Sequence, residues 1–80
     1  EGNAKKIKVS ANRVFIADGL DGVKIFDISV INAPKLIGAY KGIMNITDIV
    51  INKNILYAAD ETEGIDVLDI KDPKNIKKIS

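Results

Sequence analysis

Carboxylates set in short turns are the groups in this chain best placed for chemistry. Asp18 and Asp21 bracket the turn Asp18-Gly19-Leu20-Asp21-Gly22, and Asp60 and Glu63 bracket Asp60-Glu61-Thr62-Glu63-Gly64. Two or three carboxylates this close together offer the hard oxygen ligands that calcium takes, although the spacing is not that of an EF-hand loop. The same residues read first as an acidic, solvated hairpin in which Gly22 or Gly64 takes a left-handed conformation. Asp27 and Asp69 form a second acidic set, each late in an apolar run. Strand alternation puts Asp27 on the face of Val23 and Ile25, and Asp69 on the face of Ile65 and Val67, so both are expected to be partly buried and to need donors. They could belong to a ring of acids lining an opening. The preferred reading is an Asp that accepts N–H bonds from the turn that follows and so shapes it.

Composition removes most other chemistry. The chain has no Cys and no His, which excludes a disulfide framework, a thiolate nucleophile, the common zinc sites and imidazole acid–base catalysis. Twelve Lys plus Arg against eleven Asp plus Glu leave a net charge of +1, too small a field to imply nucleic acid or an anionic membrane. Lys71, Lys74, Lys77 and Lys78 form a basic patch, read as protection of an exposed edge strand rather than an anion site. Tyr40 and Tyr57 lack the interleaved basic residues of a nucleic-acid platform and read as packing residues. No apolar run approaches the ~18 residues of a membrane span, and residues 1–10 lack the apolar centre of a signal peptide. The chain opens on Glu1 rather than Met, as a mature, excised or engineered segment would.

These groups are positioned by an internal repeat. Sliding the sequence by 42 residues aligns it with itself without a gap, and ten of 38 overlapping positions are identical, among them Ala17/Ala59, Asp18/Asp60, Gly22/Gly64 and Asp27/Asp69. Two copies follow, residues 1–41 and 42–80. The recurrence of Asp27 as Asp69 favours a structural role, since a single active site has no need of one such residue per copy. Turn-forming residues divide each copy into four strands, at 5–10, 13–18, 22–28 and 34–40, then at 46–51, 54–59, 64–70 and 75–79. Gly, Asn and Asp in the turns tolerate the positive φ of tight hairpins. Val14 to Ala17 and Ile55 to Ala59 are apolar throughout, so these strands must be covered on both faces. Four-stranded antiparallel units of about 40 residues achieve this by stacking side by side, as propeller blades do. The competing architecture is an eight-stranded sandwich or barrel closed within the chain.

The strings from Val14 to Ser29 and from Leu56 to Ile70 resemble the LVIVD repeat: an apolar strand ending in Ala-Asp, a Gly-containing turn, a second apolar strand ending in Asp, then Pro. The first copy has Val30-Ile31 where Asp-Pro is expected and keeps Pro34; the second has Asp72-Pro73 but Ile76 at the later site. The resemblance implies an all-β fold of two four-stranded antiparallel propeller blades from a bacterial or archaeal cell-surface or secreted protein. Two blades complete a propeller only by oligomerisation, as a homotrimer or homotetramer, or beside neighbouring blades of a larger chain. The expected role is a non-catalytic structural or interaction module with a protein or glycan ligand, no cofactor, no nucleic acid and no membrane insertion. The alternative is a fragment of a propeller enzyme with a central acidic or metal site.

Overall fold

The computed structural model describes residues 4–18, 22–41, 46–61 and 64–80. Four strands, β1 (Ala4–Ser10), β2 (Arg13–Asp18), β3 (Gly22–Asp27) and β4 (Lys35–Tyr40), pair in chain order as one antiparallel sheet. A second sheet repeats the order with β5 (Ile46–Asn52), β6 (Ile55–Asp60), β7 (Gly64–Asp69) and β8 (Lys77–Lys78). The 42-residue register survives in fine detail. β1 has a bulge between Ala4 and Lys6, and β5 has the equivalent bulge between Ile46 and Asp48. The Ile28 amide donates to the Asn12 carbonyl at 2.8 Å, and the Ile70 amide to the Asn54 carbonyl at 2.9 Å.

Each sheet has two unlike faces, called here front and back. The front of the first sheet carries Phe15, Ala17, Val23 and Ile25, all buried. It packs on the back of the second sheet, where Ile49, Leu56, Ala58, Leu68 and Ile70 are buried in the same cluster. The repeat therefore stacks front on back, and equivalent residues have opposite fates. Val23 is 0% exposed and its equivalent Ile65 is 66% exposed. The remaining two faces lie open: Ile7, Val9 and Leu36 on the back of the first sheet, Val50, Tyr57 and Ile65 on the front of the second. Neither sheet curls onto itself, so the arrangement is that of two adjacent propeller blades and not of a closed sandwich or barrel.

The outer strand of the second copy departs from the expected span of 75–79. Residues Pro73–Asn75 form a single 3-10 turn. Its cap is Asp72, whose side chain accepts the Lys74 amide at 3.1 Å, while its carbonyl accepts the Asn75 amide at 2.9 Å. Pro73 starts the turn, where no N–H is needed. β8 is consequently short, although pairing to Val67 continues through Ile79 and Ser80. The first copy has Val30-Ile31 in place of Asp72-Pro73 and lacks this cap. Its loop closes by a bond from the Ala33 amide to the Val30 carbonyl at 2.9 Å, leaving a six-residue β4.

Two backbone features were not legible as expected. The positive φ of the β1–β2 and β5–β6 turns falls on Ala11 (54°) and Lys53 (57°), not on Asn12 and Asn54. A two-residue hairpin with positive φ at its first central position has the type II′ pattern, and the carbonyls of Asn12 and Asn54 are held by the third strands. Gly38 in β4 sits where a Cβ would overlap the Pro73 carbonyl, so it lets the outer strand approach the 3-10 turn of the other sheet.

Substitution Ala11→Gly removes the left-handed strain of an L-residue against a smaller entropic cost, and should stabilise the fold by about 0.5–1 kcal/mol in denaturant titration. Substitution Gly38→Ala should instead destabilise it by about 1–3 kcal/mol, through overpacking between the sheets.

Candidate functional site

A groove of about 520 Å³ opens where the two sheets part at their hairpin ends. The first sheet supplies Ser10, Asn12, Arg13, Phe15, Asp27 and Ser29; the second supplies Ile51, Lys53, Asn54, Ile70 and Lys71. Phe15, Ile51 and Ile70 form an apolar floor that continues the core, and the polar groups surround it because they lie in or beside turns.

Asp27 is the best-defined polar group in this groove. The Ser29 amide donates to its Oδ1 at 2.8 Å and the Ser29 hydroxyl donates to the same oxygen at 2.6 Å. These bonds, led by that of the hydroxyl and aided by the charges of Arg13 and Lys35, hold the carboxyl below its ordinary value of 3.8 and outweigh the opposing effect of burial. A carboxylate made less basic in this way is a poor proton acceptor, and no imidazole is available to activate the Ser29 hydroxyl. The pair shapes the turn after β3. Asp69 has the equivalent place after β7, accepting the Lys71 amide at 3.0 Å. Lys71 replaces Ser29 there, so the hydroxyl donor is lost. Asp69 lines a different recess, with Lys71, Asp72, Asn75 and Lys77.

Asp18 and Asp60 end β2 and β6 and are buried, 6% and 7% exposed, unlike the solvated turn residues expected of them. They pair across their hairpins with Gly22 and Gly64, which place them on the strand face rather than in the turn. Gly22 (φ 81°) and Gly64 (φ 99°) both take positive φ, and a Cβ on Gly22 would overlap the Tyr40 carbonyl. Asp21 and Glu63 lie outside the described residues. Among the described residues no three His, Cys, Asp or Glu side chains form a group that could hold a metal ion.

One residue escaped the sequence reading. Asp66 sits on the back of the second sheet, 2% exposed between the two sheets. Lys78 reaches it with Nζ 3.2 Å from Oδ1, while Oδ2 has no hydrogen-bond partner among the described residues. One member of the basic patch thus turns inward to a buried charge. The signal was present in the repeat, because the position equivalent to Asp66 is Lys24 and this charge reversal interrupts the otherwise conservative swaps along β3 and β7.

Because the Asp27 pKa is lowered on folding, its stabilising effect is present at neutral pH and is lost as pH falls below about 4. The Asp27→Asn variant should melt at a lower temperature than the parent at pH 7, and the gap should narrow as the pH falls below about 4. Melting curves followed across that range provide the check, and a constant gap would exclude linkage through Asp27.

The comparisons with known proteins follow the same division. The LVIVD repeat model matches residues 1–42 and again residues 45–77, one match to each sheet. No curated protein and no solved structure matches the chain. With two tandem matches covering nearly all of its length, each folded as a four-stranded antiparallel sheet, this chain belongs to the LVIVD repeat family.

Proposed function

We propose that the chain is a non-catalytic structural and interaction module, a pair of propeller blades from a cell-surface or secreted protein that completes its ring with copies of itself or with neighbouring blades. The observation that carries this reading is the pair of open faces. Each is the repeat equivalent of a face that is buried inside the chain, and each exposes large apolar side chains, Ile7, Val9 and Leu36 on one side and Val50, Tyr57 and Ile65 on the other. Two apolar faces on opposite sides of a small molecule call for partners of the same shape as the one already present.

Propellers typically have four to eight blades. Three copies of this chain supply six and four copies supply eight. A completed ring would present its loops and the grooves between blades as the binding surface, where Arg13, Lys53, Asn12 and Asn54 suit a protein or glycan ligand. A non-catalytic role is supported by Asp27 and Asp69, each engaged by its own following turn. The cell-surface assignment follows from the family resemblance. Among the described residues no helix is long and apolar enough to cross a membrane.

Sedimentation equilibrium tests the proposal. The expected mass is three or four times the 8.7 kDa of one chain. A well-folded 8.7 kDa species at all concentrations would overturn closure of the ring by copies of this chain.

A further inference from the structure

We infer that the groove between the two sheets is a binding site for an acidic peptide segment of a partner protein, with Arg13, Lys53 and Lys71 receiving its carboxylates. This names the partner of the interaction module proposed above and rests on that reading.

The near-neutral chain conceals a local concentration of charge. The antiparallel order sends the β1–β2 and β5–β6 turns, and the segments that follow β3 and β7, to one end of the sheets, where the Ile28 amide is tied to Asn12 and the Ile70 amide to Asn54. Three cations meet there on one groove: Arg13 at the start of β2, Lys53 in the β5–β6 turn and Lys71 after β7. Against them the groove sets one carboxylate, Asp27. It stands across from Arg13 in the β2–β3 register, and its Oδ1 already accepts both the amide and the hydroxyl of Ser29. Asp69 does not add a second. It is in register with Ile55 on the front of the second sheet, whereas the groove runs along the back of that sheet at Ile51 and Ile70. Three cations against one carboxylate leave an excess of two positive charges in a concave, partly apolar setting, which focuses their field on an incoming anion.

The repeat shows that the fold does not need these cations. The residues 42 positions from Arg13, Lys53 and Lys71 are Ile55, Ala11 and Ser29, so a blade forms without a charge at any of the three places. Asp27 recurs as Asp69, as expected of a group that its turn requires. Three independent departures from the repeat, far apart in sequence, thus converge on one cavity.

The floor of the groove favours a peptide among anionic partners. Phe15 is 2% exposed, so it opens no aromatic plane on which a nucleic-acid base or a sugar ring could stack. An acidic peptide needs no such plane: its carboxylates meet the three cations, and its main chain meets the neutral polar groups of Ser10, Asn12 and Asn54. The volume of about 520 Å³ is that of an ordinary ligand site.

Fluorescence anisotropy of a labelled deca-glutamate peptide tests the assignment, with polygalacturonate as the anionic sugar for comparison. The peptide should bind, and bind more weakly as salt is added. Each of Arg13→Gln, Lys53→Gln and Lys71→Gln should raise the Kd about two- to fivefold, and the triple variant more than about tenfold. Lys41→Gln removes an exposed cation beside Gly22, at the opposite end of the sheets, and should leave the Kd unchanged. Lys53 and Lys71 are exposed, so their variants keep the fold and carry the test even if Arg13→Gln melts early. A folded protein that ignores the peptide would overturn the site, and so would equal weakening by Lys41→Gln. Tighter binding of polygalacturonate than of the peptide would overturn the assignment to a peptide. One chain builds the whole groove, so a monomer that binds the peptide would overturn ring closure by copies and uphold the site. Assembled rings that ignore the peptide would do the reverse.

Discussion

A β-strand that is apolar on both faces demands cover on both, and every larger feature of this molecule follows from how that demand is met. Val14 to Ala17 and Ile55 to Ala59 cannot sit at the surface of a sandwich without exposing one face. Within the chain each sheet covers one face of the other, front on back. The result leaves one unlike face of each copy uncovered. Exposure of Ile65 at a position whose equivalent, Val23, is fully buried is the same constraint half satisfied.

The interface between the sheets also shows how a repeat tolerates charge. Asp66 is enclosed by apolar neighbours, and its desolvation is offset by the Lys78 ammonium reaching in from the outer strand. That reach is possible because β8 pairs with β7 with Lys78 opposite Leu68, on the face where Asp66 lies. The acidic cap of the 3-10 turn has a comparable local effect: Asp72 with Pro73 folds the chain just ahead of β8, and the turn then packs where Gly38 has no side chain. A two-residue difference in one loop, Val30-Ile31 against Asp72-Pro73, is enough to give the two copies different outer strands.

Two of the groups that drew attention for their chemistry, Asp27 and Asp69, are held by their own turns. Asp27 accepts from Ser29, Asp69 from Lys71, and Asp18 and Asp60 are drawn onto strand faces opposite glycines of positive φ. Their recurrence at fixed repeat positions agrees with their part in closing hairpins. The copies differ chemically at unlike pairs such as Lys6 with Asp48 and Lys24 with Asp66, which lie on packing faces away from the turns.

The self-alignment at 42 residues, the turn signals and the doubly apolar strands were enough, by themselves, to place the first seven strands to within one or two residues and to show that similar units must stack. These are local or periodic properties, and the chain carries them in its residue types. The eighth strand was shortened by the 3-10 turn that Asp72 caps, and that turn packs at Gly38, a contact between residues distant in sequence. Positive φ at Ala11 and Lys53 likewise reflects a hairpin register set by partner strands, since intrinsic preference alone favours Asn12 and Asn54. Which face of each sheet is covered, and hence which of two equivalent residues is buried, was decided by the tertiary structure. A sequence repeat makes the copies alike, whereas stacking makes them unlike: the front of one must meet the back of the next.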